Sequence, residues 1–433
     1  MKRKAMQELV SWKNKADKKP LIIQGARQVG KTWLMKEFGR LYYKQTVYIS
    51  FDTNVRMREL FDVDLDVKRL VAGLELEAGF KIKPEETLLI FDEIQERPRA
   101  LTSLKYFNED APEYNIVAAG SLLGVAHHSG TGFPVGKVEF MKLHPMSFEE
   151  FVEALGQERF IELIKAKDFE MISAFTDKYL DLLRKYCYIG GMPEAVQHFV
   201  NNLDFGAVRK IQKQIIEAYE QDFSKHIPAN TVTKIRLLWK SIPAQLTKEN
   251  KKFIYGIVKE SARAKEFETA LAWLSDSGLI HIVHKIKKPG LPLIAYEDFN
   301  AFKVFIVDVG LLGALTNLEA KIQLEGDKIF EEFKGAIAEQ YVLQQLKTIK
   351  DLPIFYWTND TSRSEIDFIV QLGSNVVPVE VKSSTNLRAK SLKYYSEEFK
   401  PKISIRTSPA NYKKNDGLYD IPLYMIETIE TLS

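Results

Sequence analysis

The sequence predicts an α/β protein: a parallel sheet with helices on both faces, then a helical region closed by a two-stranded wing, then a second, C-terminal α/β region. Three observations predict it. Short apolar runs alternate with helical periodicity over the first 165 residues; the middle is helix-rich and ends in paired strand signals; and a helix near the C-terminal end is followed by two alternating strands. At about 150 residues per domain, 433 residues exceed one ordinary core, and 45% apolar with 27% charged residues is the composition of folded chains.

The first elements surround one motif. Leu21-Ile22-Ile23 reads as a buried strand and Trp33 onward as a helix. Between them Gly25-Ala26-Arg27-Gln28-Val29-Gly30-Lys31-Thr32 fits G-x-x-x-x-G-K-[ST]. Gly25 and Gly30 allow backbone angles that aim successive N–H groups at phosphate oxygens, and the helix start at Trp33 adds a favourable dipole. Lys31 is placed to reach the β- and γ-phosphates, and Thr32 to offer its hydroxyl to Mg²⁺. The bland alternative is a glycine-rich turn with a surface lysine.

"TVYISFD", residues 46 to 52, is a second strand, expected to separate the lysine strand from the next acidic one. "TLLIFDEIQ", residues 87 to 95, is an apolar strand ending in adjacent carboxylates. Asp92 can hold hydrated Mg²⁺, and Glu93 can orient and deprotonate an attacking water. "NIVAAGSLLG", residues 115 to 124, gives a fourth strand, after which Ser121 is a candidate sensor of the γ-phosphate or an ordinary polar turn. Arg97 and Arg99 are candidates by position alone for an arginine acting in trans; surface arginines are the competing reading.

In the middle, "LHPMSFEEFVEAL" (143 to 155) and "YIGGMPEAV" (188 to 196) pair Pro or Gly with helix starts, and Ser147 with Glu150 makes a capping box. They read either as a lid carrying motion from the nucleotide or as simple helical packing. Residues 230 to 300 read as three helices followed by "LIHIVHKI" and "PLIAYE" as a wing. The third helix carries Glu266, Glu268 and Asp276 against Lys265, a poor surface for phosphates, so protein contact or scaffolding is expected there rather than DNA reading. His127, His128, His144 and His226 lack ligand spacing.

The C-terminal region holds a second constellation. "GAIAEQYVLQQL" (335 to 346) is a helix carrying Glu339, and "SEIDFIV" (364 to 370) and "VVPVEVKSS" (376 to 384) alternate as strands. With Gly373-Ser374 as a two-residue hairpin loop, Asp367 stands opposite Glu380 and Glu365 opposite Lys382. Opposed side chains lie roughly 5 Å apart at Cβ, so Asp367 and Glu380 can share a Mg²⁺ or Mn²⁺ ion, Glu339 can complete its shell, and Lys382 can position a water or stabilise developing charge. A carboxylate pair neutralised by Lys382 and Arg363 on a solvated hairpin is the alternative. Beyond it, Lys382, Arg388, Lys390, Lys393, Lys400, Lys402, Arg406, Lys413 and Lys414, interleaved with Tyr394, Tyr395 and Tyr412, form either a track for DNA or RNA or a solvated basic surface.

Composition narrows the setting. With 61 basic and 58 acidic residues the whole-chain charge does not select nucleic acid, and Cys187, alone of its kind, excludes an intrachain disulfide framework and cysteine-rich zinc sites. The start lacks the apolar segment of a secretory signal and no run spans a bilayer, so a cytoplasmic protein without membrane contact is expected.

With these residues in view, the chain resembles the prokaryotic group of AAA-type ATP-binding proteins that join a P-loop core, a winged helix and a C-terminal restriction-endonuclease-like domain. "GARQVGKT", "FDEIQ", "HPMSFEEF", "YIGGMPEAV", "AWLSDSGLI" and "FIVDVGLL" are similar to stretches typical of that group. The resemblance implies a P-loop ATPase domain over 1–165, a helical and winged-helix domain over 166–315 and a nuclease-like domain over 316–433. Glu339, Asp367, Glu380 and Lys382 would occupy the PD-(D/E)xK positions, with Ile366 in place of the motif's proline. It further implies ATP and Mg²⁺ as cofactors, a second Mg²⁺ or Mn²⁺ in the C-terminal domain, and a homo-oligomer. The function expected is an ATP-hydrolysing switch controlling a metal-dependent nuclease. The alternative is a nucleotide-regulated interaction or signalling protein, with an unknown protein partner, whose nuclease-like domain is an inactive docking module.

Overall fold

A computed structural model describes residues 1–120, 134–224, 229–247, 252–318, 334–359, 364–385 and 389–432. The chain packs as two compact units, residues 2–144 with 276–278, and 145–275 with 279–433.

The N-terminal unit is built on a parallel sheet of β1 (Leu21–Gln24), β2 (Gln45–Ser50), β3 (Thr87–Asp92), β4 (Asn115–Gly120) and β5 (Glu139–Lys142), in the order β2-β3-β4-β1-β5. A strand does separate the lysine strand from the acidic one, but it is β4, while β2 takes the edge. Burial explains the placement: β3 and β4 are buried at every residue, as strands covered on both faces must be, whereas β2 leaves Tyr48 exposed.

Ile22, Ile49, Phe91 and Ala118 enter one cluster with Phe61, Leu70, Leu74 and Leu104 from the helices Val55–Val63, Val67–Ala78 and Pro98–Asp110. Phe51, Phe61 and Phe91 meet edge to face there, with ring centroids 5.2–5.7 Å apart. Strand residues of opposite parity, Ile23, Leu88, Ile90 and Val117, are buried as well, and the helix Lys31–Tyr42 packs against β2, β3 and β4.

The second unit centres on an eight-stranded mixed sheet. Its strands are β6 (Ile280–Ile286), β7 (Glu297–Ile306), β8 (Ile354–Thr358), β9 (Glu365–Leu372), β10 (Asn375–Val381), β11 (Ser404–Ser408), β12 (Lys413–Asn415) and β13 (Leu418–Pro422), ordered β12-β13-β11-β10-β9-β8-β6-β7. Helices Ala229–Leu246, Tyr255–Val258 and Ala264–Asp276 precede β6 in the order expected of three helices and a wing, although the second is one turn long.

The wing differs from expectation in two ways. Its second strand is not "PLIAYE": Pro292 cannot donate to a ladder, Leu293–Tyr296 forms a 3-10 turn, and pairing with β6 runs instead through Glu297–Ile306. Nor does the hairpin stand alone, since Lys285 of β6 pairs with Tyr356 of β8 and carries the wing into the C-terminal sheet. The expected boundary at 315 therefore falls inside one packed unit, and that at 165 lies beyond the division at 144/145.

A buried polar node gathers the middle motifs. Asp308 is fully buried; its Oδ2 accepts from Gly191 N at 2.6 Å and Gln344 Nε2 at 2.9 Å, and its Oδ1 from Leu311 N at 3.1 Å. On the same helix, Lys334–Leu346, Gln340 exchanges two bonds with the Ile306 backbone, and Gln345 accepts from Phe148 N at 2.7 Å. The Ser147/Glu150 capping box is formed. Satisfying these backbone groups internally fixes segments distant in sequence against one helix.

Candidate functional site

The loop between β1 and the helix Lys31–Tyr42 wraps back on itself. Gly30 has φ 93° and Gln28 φ 66°, left-handed angles that turn the chain into the helix start, and any side chain at Gly25 would collide with the Leu143 carbonyl. Lys31 folds over this loop: Nζ donates to the carbonyls of Gly25 and Ala26, both at 2.9 Å. Burial pulls its pKa down to about 8, against the opposing pull of Glu93 and Asp92. Arg3 donates to the Val29 carbonyl at 3.0 Å, bracing the loop from outside the motif.

Thr32, the first helical hydroxyl, donates to Asp92 Oδ2 at 2.7 Å, so the structure brings the tip of β3 to the lysine loop. Tyr48 of β2 donates to the same oxygen at 2.9 Å, and the Glu93 amide to Asp92 Oδ1 at 3.1 Å. Glu93 itself sits at φ 50°, with its carboxylate held by the Gln95 amide. The donor set fits a hydrated Mg²⁺: a hydroxyl and a carboxylate face each other, both hard oxygen ligands. The helix begins at Lys31, two residues earlier than expected; Trp33 in its first turn is exposed, while Ala26 and Val29 are buried supports of the loop. Ser121 lies outside the described residues.

Arg97 and Arg99 are engaged within their own unit. Arg97 pairs with Asp62, and Arg99 donates to the Phe61 carbonyl at 3.0 Å. Tyr48 and Arg3 escaped the sequence reading. For Tyr48 a signal existed, since alternation along β2 puts it two residues before the strand's end, where β3 delivers Asp92.

In the second unit, the β9–β10 hairpin pairs Leu372 with Asn375 and continues to Phe368 with Val379, the register expected from a two-residue loop. Asp367 and Glu380 follow next on the two strands, and Asp367 Oδ2 accepts from Val381 N at 2.8 Å. Lys382 bonds Glu380 Oε1 at 2.7 Å rather than Glu365 across the hairpin. Glu339 is 6% exposed and Glu380 4%. Burial raises the Glu380 pKa, with Lys382 working against it; Lys382 is itself held above the usual lysine value because Glu380, Asp367 and Glu339 outweigh its burial.

Glu365 turns instead to Lys303, a residue of β7 that sequence reasoning missed. Lys303 is 0% exposed; it pairs with Glu365 Oε1, and its Nζ lies 3.7 Å from Glu339 Oε2. Burial disfavours its charge, yet Glu365, Glu339 and Asp367 together hold its pKa above the ordinary value. Among the described residues no group of three or more His, Cys, Asp or Glu side chains is arranged to hold a metal ion. The donor types are still ones a hard cation would take: Glu380 Oε2 is buried without a hydrogen-bond partner among the described residues, near enough to Glu339 to feel its charge.

Part of the basic track is taken up by packing and pairing, while most of its lysines are exposed. Tyr395 is buried among Trp357, Phe399 and Leu392, Tyr412 stacks on Phe169 at 3.8 Å, and Arg406 forms two bonds to Asp420 at 2.7 and 3.0 Å. Lys390, Lys393, Lys400, Lys402, Lys413, Lys414 and Tyr394 are exposed; Arg388 and Arg363 lie outside the described residues, as do His127, His128 and His226. Cys187 is buried, its thiol pushed up to about 12. Among the described residues no helix is long and apolar enough to cross a membrane.

Residues 17–152 match the family model described as an AAA domain; residues 180–322 and 334–426 match two described as domains of unknown function, DUF8612 and DUF4143. No curated protein matches the sequence. Among solved structures the chain is similar to the Walker-type ATPase PABY2304 of Pyrococcus abyssi, at 14% identity over 73% of this chain and 95% of that one, with a TM-score of 0.44. It is also similar to Cdc6p from Pyrobaculum aerophilum (13% identity, 72% and 92%, TM-score 0.26) and to the Aeropyrum pernix Orc1 protein in complex with DNA (11%, 73% and 91%, 0.27). Residues 17–152, with their parallel sheet and lysine loop, thus match an AAA domain and have a P-loop ATPase-like fold.

Proposed function

We propose that the protein is an ATP-hydrolysing AAA-type switch whose nucleotide state controls a metal-dependent nuclease-like C-terminal region acting on DNA or RNA. The Thr32–Asp92 bond beside the buried Lys31 carries the first half: a hydroxyl, a carboxylate and an ammonium group are gathered at the glycine-containing loop. Mg²⁺, when bound, would supply neutralising charge to the phosphate oxygens. Thr32 and Asp92 would hold that ion, and the backbone from Gly25 to Trp33 would cradle the phosphates. Lys31 exchanges its loop carbonyls for phosphate oxygens, and Glu93 takes a proton from the attacking water.

In the second unit Glu339, Asp367 and Glu380 would hold Mg²⁺ or Mn²⁺, while Lys382 stabilises charge developing on a phosphodiester. The winged-helix reading of residues 229–306, Ser121 as polar sensor, a homo-oligomer and a cytoplasmic setting belong to the same proposal. The nucleic-acid half is tested by cleavage of single- and double-stranded DNA and RNA with Mg²⁺ or Mn²⁺, with and without ATP, comparing wild type with Asp367→Ala. Metal-dependent cutting lost in the variant supports it; equal, negligible cutting by both overturns it.

A second reading takes the C-terminal region as a docking module of a nucleotide-regulated signalling protein. The ion pair between Lys303 and Glu365 favours it, because a carboxylate cluster answered by lysines is stable without metal.

A further inference from the structure

Lys303 reaches the carboxylate cluster from the far side of the sheet order, on β7, while Glu365 and Asp367 come from β9, Glu380 from β10 and Glu339 from the helix Lys334–Leu346. Among the described residues two ammonium groups, Lys303 and Lys382, face these carboxylates. Lys382 bonds Glu380, Lys303 pairs with Glu365 and faces Glu339 Oε2 at 3.7 Å, and Asp367 accepts from Val381 N. Its ammonium also stands 5.0 Å from the centre of the Tyr356 ring, whose face attracts a cation.

Burying a charge completely is costly unless it is paired, and an apolar side chain of the same length would fill the space without that cost. The position is thus occupied by a cation because of what it faces. A divalent ion drawn to Glu339, Asp367 and Glu380 meets a positive charge already seated beside Glu339, and like charges at such separations oppose each other by several kcal/mol at roughly the effective dielectric of a protein.

We propose that Lys303 sets the metal affinity of the C-terminal site, acting as a resident cation that a divalent ion must displace from Glu339. The inference rests on the reading of Glu339, Asp367 and Glu380 as ligands. It makes metal uptake depend on a residue outside the four motif positions, one that leaves the ligands themselves untouched.

The test is Mn²⁺ binding by calorimetry with the full chain, comparing wild type, Lys303→Met, Asp367→Ala and the double variant Lys303→Met/Asp367→Ala. Lys303→Met should bind Mn²⁺ about tenfold or more tightly than wild type, with the gain lost when Asp367→Ala is added. Asp367-dependent binding that is equal in wild type and Lys303→Met overturns the inference and leaves the ligand reading standing. Absence of Asp367-dependent uptake in every protein sinks the ligand reading, and the inference with it. Should Lys303→Met fail to fold, Lys303→Met/Glu365→Gln removes both partners of the ion pair and keeps the cluster's net charge. A smaller tightening is expected there, from loss of the cation beside Glu339 alone, and Asp367-dependent binding no tighter than that of wild type overturns the inference.

Discussion

Lys31 and Lys303 are both buried, one in each unit, and their surroundings push them in opposite directions. Lys31 lies against carbonyl oxygens of its own loop, and burial lowers its pKa to about 8. Lys303 lies against carboxylates that hold its charge firmly in place. A buried cation hydrogen-bonded to neutral carbonyls, whose burial outweighs the pull of Glu93 and Asp92, gains most from an anionic ligand, whereas one paired directly with a carboxylate is already neutralised. The contrast is the one expected if the first unit takes an anionic ligand while the second already balances its own charges.

The largest expected effects fall on the first unit. Glu93→Gln should retain nucleotide binding while lowering ATP turnover by about 100-fold or more, read from phosphate release; unchanged turnover would remove Glu93 as the base. Lys31→Ala should lose both binding and turnover, the latter by roughly 100- to 1000-fold, and a variant with normal binding would break the contrast between the two lysines.

Stability sharpens the second half. Glu365→Gln leaves Lys303 buried with less negative charge beside it, and loss of one partner of a buried pair costs about 3 kcal/mol, visible as a lower denaturant midpoint. Asp308→Asn turns an amide N–H₂ toward the donors of Gly191 or Gln344 and should cost about 2 kcal/mol by the same measurement.

The smallest effect is in pH. Above pH 8 the free folded protein carries Lys31 neutral, whereas an unfolded chain keeps it charged up to its usual 10.5. Its buried charge therefore costs stability below pH 8, a cost relieved as the pH rises through that window. Phosphates favour the charged form, so nucleotide binding above pH 8 should take up a proton and weaken by at most roughly tenfold per pH unit. Calorimetry in buffers of different ionisation enthalpy reads that proton directly, and a flat profile would mean that Lys31 stays charged without ligand.

What was legible in the sequence was local. The lysine loop and the hairpin register are specified by residues close together in the chain, so spacing and alternation sufficed for both. Sheet order was not, because β4 enters between β1 and β3 through crossovers whose destination depends on which strand is buried on both faces. Lys303 was hidden for a related reason: the strand that carries it begins after Pro292 rather than at it, and its partners follow 36 and 62 residues later in the chain. The tyrosines of the basic track could not be told from free stacking platforms, since Tyr395 is packed by Trp357 and Tyr412 is stacked by Phe169, which come from elsewhere in the chain.

The union of the wing with the C-terminal sheet bears on how this chain can be dissected. A fragment beginning near residue 316 would lose β6 and β7, leaving the side of β8 that meets Lys285 without its neighbour and Glu339 and Glu365 without Lys303. An open strand edge beside uncompensated buried acids invites self-association. Activity or inactivity of such a truncated piece would report on a damaged sheet, whereas a fragment starting at residue 145 keeps strand, lysine and carboxylates in one fold.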